Sequence, residues 1–317
     1  MENKVLIETR DLKKYFKVSG GILHAVDGVN LTINEGKTLG VVGESGCGKS
    51  TLGRAILRLH EPTSGQIFFD GQDITQKRGN EMKAIRRQMQ IIFQDPYSSL
   101  NPRMSVQELI AEPLLINKVV RNNDVYEEVS RLMDLVGLAK RLEGSYPHEL
   151  DGGRRQRIGV ARALALKPNF IVCDEPVSAL DVSIQAQILN LLMDLQEEMN
   201  LTYMFITHDL SVVKHISDDI AVMYLGMCVE KAPAKELFLK PLHPYTKALL
   251  SAIPIPDTAM RNRKSEVIRG EVTSPINPKP GCRFAARCPF ATEACFSDTP
   301  QLQELLPDHF VACHLCK

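Results

Sequence analysis

The chain has 317 residues, 44% apolar and 24% charged, the balance of a soluble globular protein with one large domain and an appendage, or two modest domains. Lys+Arg and Asp+Glu stand at 38 each and no Lys/Arg run stands out, which argues against a nucleic-acid partner or attraction to anionic lipid. No stretch approaches the roughly 18 apolar residues of a membrane span, and the N-terminal MENKVLIETRDLKKYF lacks the apolar centre of a signal peptide, so the chain is expected to be cytosolic unless a partner holds it at a membrane.

The first 250 residues alternate short apolar runs with helical patterns, as in a layered α/β domain. Leu39–Val42, Ile91–Phe93, Phe170–Cys173 and Tyr203–Ile206 read as buried strands of a mostly parallel sheet. Lys49–His60 and Val182–Met199 carry helical spacing. Between about Gln94 and Arg162 helical patterns take over, including Ser105–Ile116 and Asp124–Val136, which predicts a helical insertion. After Ala252 the prolines at Ile253-Pro254-Ile255-Pro256 and in Ser274–Pro280 predict a linker and a separate C-terminal element.

Gly43-Glu44-Ser45-Gly46-Cys47-Gly48-Lys49-Ser50, followed by Thr51, fits the phosphate-loop pattern G-x-x-x-x-G-K-[ST], directly after an apolar strand and at the start of a helix. Glycines let successive backbone N–H groups curl around a phosphate, and the helix N-terminus adds a favourable dipole. Lys49 supplies charge for the β- and γ-phosphates and the Ser50 hydroxyl a ligand for Mg²⁺. Phe170–Cys173 ends in Asp174 and Glu175, ionised groups that need water, a cation or a partner at a strand end. Asp174 is placed to hold Mg²⁺ through water, and Glu175 to orient or deprotonate the attacking water.

These residues sit in a sequence that resembles the ABC ATPases. Ser178–Asp181 matches their D-loop, and Leu150-Asp151-Gly152-Gly153-Arg154 resembles a signature that usually begins Leu-Ser-Gly-Gly-Gln. Gln94 matches the Q-loop glutamine, a Mg²⁺ ligand and catalytic residue, His208 the switch histidine, and Tyr15 the aromatic residue that stacks on adenine. The resemblance implies two ATPase subunits sandwiching two ATP molecules, each bound by one subunit's phosphate loop and the other's signature, with closure and opening driving paired membrane subunits. Residues near Tyr97–Arg103 would contact those subunits.

Asp151 and Arg154 depart from the usual signature. A carboxylate about 4 Å from a phosphate charge is repelled by roughly 4 kcal/mol at an effective dielectric near 20, enough to impair one site of a dimer, although Arg154 offsets part of it. The other reading is a helix cap, which Asp provides as well as Ser.

Cys47, Cys173 and Cys228 are scattered, whereas Cys282, Cys288, Cys295, Cys313 and Cys316 crowd the last 36 residues. In a reducing compartment such crowding points to metal more than to disulfides. The wide gaps suit an iron–sulfur cluster better than zinc, though Cys313 and Cys316 keep the closer spacing of a zinc pair. The tail is similar to the C-terminal extension of ATPase subunits of peptide (peptide/nickel) importers. That resemblance implies a [4Fe–4S] cluster on Cys282, Cys288, Cys295 and Cys313. Cys47, at a helix N-terminus, is a loop filler or a thiol of lowered pKa. Leu242–Leu250 carries no assigned chemistry and reads as a helix start that packs the tail.

The fold class expected from this resemblance is α/β: a P-loop NTPase core (RecA-like) with an N-terminal antiparallel β element, a helical subdomain and a C-terminal cysteine-rich extension. Residues 1–93 and 163–252 would form the core, 94–162 the helical subdomain and 253–317 the extension. The expected function is hydrolysis of ATP with Mg²⁺ to power peptide uptake at the cytoplasmic face of a membrane. The expected partners are a second ATPase subunit, two transmembrane permease subunits and, indirectly, an extracytoplasmic binding protein. One rival is an ABC ATPase of repair or translation, which carries a long coiled coil or a tandem second ATPase domain. The other is a non-catalytic regulator, against which intact Lys49, Asp174 and Glu175 speak.

Overall fold

A computed structural model describes residues 4–121, 124–252, 270 and 273–316. The expected linker at Ile253–Pro256 lies outside the described residues. In chain order the elements are β1 (Val5–Val18), β2 (Gly21–Asn34), β3 (Thr38–Val42), α1 (Lys49–Ile56), β4 (Ser64–Phe69), β5 (Gln72–Asp73), α2 (Gly79–Gln88) and β6 (Met89–Ile92). Then come α3 (Val106–Asn117), α4 (Val125–Leu135), α5 (Gly152–Leu164), β7 (Phe170–Asp174), α6 (Val182–Met199), β8 (Thr202–Ile206), α7 (Leu210–Ile216), β9 (Asp219–Tyr224) and β10 (Met227–Pro233). The C-terminal stretch holds α8 (Ala234–Leu239), α9 (Pro244–Ser251), α10 (Glu293–Ser297), β11 (Gln303–Leu306) and β12 (His309–Val311).

Two compact units are distinguished. The first comprises Met1–Lys4, Asn34–Lys37 and Gln76–Phe205. Its strands run in the order β8-β7-β6, with β6 and β7 parallel and β7 wholly buried. Helices α3, α4 and α5 pack on one another, and α5 also packs on β6 and α6. Ser105 and Glu108 close a capping box at the start of α3. Asn200, at φ 52°, ends α6 in the left-handed conformation that terminates many helices.

The second unit comprises Val5–Ile33, Thr38–Thr75 and Ile206–Lys317. One sheet has the order β2-β1-β4-β5, with β4 antiparallel to both β1 and β5. Another run has the order β11-β12-β10-β9-β3. Here β3 and β9 are parallel, while β9, β10, β12 and β11 pair antiparallel in turn. This run is therefore mixed: β3 and β9 pair in parallel, the β9–β10 hairpin reverses the direction, and the tail adds a second hairpin at the edge strand β10. The described tail residues contribute β11 and β12 to that edge. Within Ser274–Pro280, Ile276 bridges Leu23, and the Asn277 amide donates to Ile22 at 2.9 Å.

The anchor of the hairpin is Glu230 on β10, which is fully buried. Its carboxylate accepts from the amides of Leu242 and His243 at 2.8 and 3.0 Å and lies 2.7 Å from His309 Nε2 on β12. A buried carboxylate is tolerated only when its lone pairs are met in this way. Helix α1 stops at Ile56 rather than His60, because Arg58 turns into the left-handed region at φ 55°.

Candidate functional site

Residues 43–48 leave β3 and enter α1 as a tight loop. Gly43 and Gly48 have φ of 150° and 104°. A Cβ at Gly43 would lie 2.2 Å from the Met223 carbonyl oxygen, and one at Gly48 2.0 Å from that of Ala25. Both the backbone angle and the closeness of the neighbours require glycine. Ser45 and Gly46 are exposed at the crown of the loop. The buried Lys49 ammonium donates to the carbonyls of Gly43 and Glu44 at 2.8 and 3.0 Å. Ser50 and Thr51 follow in the first turn of α1. Cys47 is buried, and burial pushes its thiol up despite the nearby Lys49. Of the two readings of Cys47, its burial supports the loop filler rather than a thiol of lowered pKa.

Tyr15 on β1 is partly buried and stacks on His24 of β2 with ring centroids 3.9 Å apart. Its hydroxyl donates to Asp27, and burial together with that bond pushes the phenol pKa up. Asp27 also meets His24 Nδ1 at 2.9 Å and the Arg283 guanidinium. Burial alone would raise its carboxyl pKa, but the bonds from Tyr15 and His24 and the charge of Arg283 bring it below the ordinary value. His208 is exposed between β8 and α7, where Asp209 caps α7 by accepting from the Ser211 amide at 2.8 Å.

In the first unit, Asp174 is buried at the end of β7. Glu175 follows at φ 47°, a left-handed angle that side-chain-bearing residues rarely adopt. Its carbonyl accepts from the Ser178 amide and hydroxyl at 3.3 and 3.1 Å. Gln94 Nε2 donates to the Glu175 carboxylate at 2.9 Å, so the fold brings these two predicted residues together. Asp151 caps α5, accepting from the Arg154 amide at 2.8 Å, with the Arg154 guanidinium 3.2 Å from its second oxygen. Leu180 lies beside Gly152 and Ile184 of α6 beside Gly153, so a Cβ on either glycine would come within 2.9 and 2.7 Å of them. A cavity of about 270 Å³ opens between β6, α3 and α5, lined by Phe93, Ser99, Glu112, Pro113, Ile116 and Arg162 among others.

The tail thiols are neighbours without forming a metal cage. The Cys282 amide donates to the Cys295 carbonyl at 2.8 Å. Burial first, then Cys295, Cys313 and Cys288, pushes the Cys282 thiol up to about 11. Among the described residues, however, no three His, Cys, Asp or Glu side chains are arranged to hold a metal ion. The predicted ligand set therefore shares a region but not a coordination geometry.

The structure also assigns contacts at the phosphate loop to residues with no local sequence signal. The Glu44 amide donates to the Tyr245 hydroxyl at 2.9 Å, and the Glu44 carboxylate meets Arg287 at 2.8 and 3.2 Å. Tyr245, Tyr224 and the tail's Phe284 form an aromatic cluster, with centroids 4.7 to 5.4 Å apart. The expectation that the segment around Tyr245 merely packs the tail is thus incomplete.

A profile described as "ABC transporter" matches residues 26–178, and one described as "Oligopeptide/dipeptide transporter, C-terminal region" matches residues 229–295. The chain is 51% identical to the oligopeptide transport ATP-binding protein AppF of Bacillus subtilis, covering 98% of each. It is 51% identical to OppF of Salmonella typhimurium, with 98% of this chain and 96% of that protein covered. Among solved structures, a dimer of the ATP-binding cassette MJ0796 in a post-hydrolysis state, bound to ADP and Pi, superimposes with a TM-score of 0.67 at 29% identity, over 72% of this chain and 99% of the other. With 51% identity to AppF and OppF over nearly its whole length, beside its phosphate loop and cassette fold, the chain belongs to the ATP-binding subunits of ABC transporters, in the branch that carries the oligopeptide/dipeptide C-terminal region.

Proposed function

We propose that this ABC ATPase powers the import of di- and oligopeptides through a membrane complex, at the cytoplasmic face and as one half of an ATPase heterodimer. Two permease subunits and, through them, an extracytoplasmic binding protein complete the assembly. The single observation that carries the catalytic reading is the Gln94–Glu175 hydrogen bond at the end of β7, which sets a carboxylate for the attacking water. The peptide cargo is supported by the names of the relatives and by the matched C-terminal region.

In this reading the amides of residues 43–51 and the Lys49 ammonium grip the phosphates, and Tyr15 takes the adenine. Ser50, Asp174 and Gln94 offer the hydroxyl, carboxylate and amide oxygens that suit Mg²⁺, which when bound neutralises charge on the phosphates. Glu175 orients and deprotonates water, and His208 stabilises the leaving phosphate. Asp151, Gly152 and Gly153 face the partner's nucleotide. The domains follow as residues 1–93 plus 163–252, 94–162 and 253–317. The cavity beside Phe93 and Ile116, with exposed Tyr97 and Leu115 nearby, is the docking surface for the permeases.

The test is ATP hydrolysis and peptide uptake by the reconstituted complex. Glu175→Gln should lower hydrolysis by about 100-fold or more while ATP still binds; uptake that continues at the wild-type rate refutes the role. Asp151→Ser should raise hydrolysis if the signature makes one site degenerate, and an unchanged rate leaves Asp151 a cap. A [4Fe–4S] cluster on Cys282, Cys288, Cys295 and Cys313 is the finer reading of the tail, supported by the proximity of the thiols. Iron and sulfide analysis of anaerobically purified protein decides it, and zinc in their place removes it.

A further inference from the structure

The short segment Cys282-Arg283-Phe284-Ala285-Ala286-Arg287-Cys288 reaches both ends of the nucleotide-binding surface of its unit. Phe284 is buried against Tyr224 and Tyr245, which fixes the segment's position. On one side Arg283, only 9% exposed, pairs with Asp27 and donates to the Leu225 carbonyl at 2.7 Å. Asp27 is the acceptor for the Tyr15 hydroxyl and the partner of His24, on which the Tyr15 ring lies. On the other side Arg287, 8% exposed, grips Glu44 through both terminal guanidinium nitrogens. Glu44 belongs to the phosphate loop, and its carbonyl receives Lys49.

The charges explain why this matters. Glu44 sets a carboxylate within a loop built to attract phosphate, and Asp27 sets one beside the ring expected to meet adenine. Each is matched by an arginine that water barely reaches, so the pairing is not screened as an exposed pair would be. The fork of a guanidinium on a carboxylate fixes direction as well as charge. We propose that Arg283 and Arg287 are positioning residues for ATP: Arg287 neutralises and orients Glu44 in the phosphate loop, and Arg283, through Asp27, sets the Tyr15 ring. The inference rests on the assignment of residues 43–51 and Tyr15 to the nucleotide. It gives the tail a task in nucleotide binding that does not depend on any metal.

The test is calorimetric titration of the full-length chain with Mg-ATP and, separately, with magnesium tripolyphosphate, which has no base. Arg287→Ala should weaken both ligands by about tenfold, the scale of a lost charge-assisted bond. Adding Glu44→Gln should restore most of that loss, because the uncompensated carboxylate is then gone. Arg283→Ala should weaken Mg-ATP by a similar factor and leave tripolyphosphate unchanged, and Arg283→Lys should recover part of it. The proposal is overturned if well-folded variants bind both ligands as wild type does. It is equally overturned if Glu44→Gln brings no rescue and both arginine variants lose both ligands in step with a lowered melting temperature, the mark of a scaffold. A wild-type chain that binds neither ligand overturns the nucleotide-site assignment itself.

Discussion

The phosphate loop and the cysteine tail are both compact segments rich in special residues, yet they are specified in different ways. The loop holds its shape through backbone angles at Gly43 and Gly48 and through near neighbours that admit no side chain. The tail is held by distant groups: Arg287 to Glu44 across 243 positions, Arg283 to Asp27 across 256, and His309 to Glu230 across 79. A motif whose chemistry lies in local backbone geometry carries its own construction rules. One whose chemistry lies in convergence depends on the rest of the fold.

The largest test of the loop is Lys49→Ala, which should cut steady-state phosphate release by about 100- to 1,000-fold, the cost of removing a preorganised charge from a transition state. Near-normal turnover would break the comparison at its first term. For the tail, Glu230→Ala should lower stability to urea by roughly 3–5 kcal/mol, because His309 and two amides lose a buried acceptor. A loss below about 1 kcal/mol would mean that the hairpin is merely laid on the sheet edge.

Acid should sharpen the contrast. His243 is buried, and burial lowers its pKa to about 4 from an ordinary 6.5. The unfolded chain therefore takes up a proton that the fold refuses between those values. Stability from this group is complete above about pH 6.5 and is lost as pH falls towards 4, by up to about 3 kcal/mol. His243→Asn should flatten that part of the urea-midpoint profile. The smallest effect is at the signature: Asp151→Ala should cost about 1 kcal/mol through the lost cap of α5.

Legibility in the sequence follows the same division. Strands β3, β6, β7 and β8 and helices α3, α4 and α6 emerge within a few residues of where periodicity puts them, because each shows its buried face in its own pattern. The last turn of the predicted first helix fails at Arg58, whose left-handed angle has no compositional mark. Gln94 and Glu175 stand 81 positions apart in the sequence, and the bond between them belongs to the fold. Asp27 and Tyr245 look like ordinary strand and helix residues, and only tertiary packing gives them their partners.

Glu175 has one more consequence. A residue held at φ 47° carries backbone strain of about 1–3 kcal/mol that asparagine or glycine would relieve. Replacing it by either should therefore yield a chain that tolerates more heat and, on the proposed role, hydrolyses ATP about 100-fold more slowly or worse. On the role proposed for Glu175, screens for thermotolerance that ignore turnover would favour such slow variants, trading robustness against work at a single backbone angle.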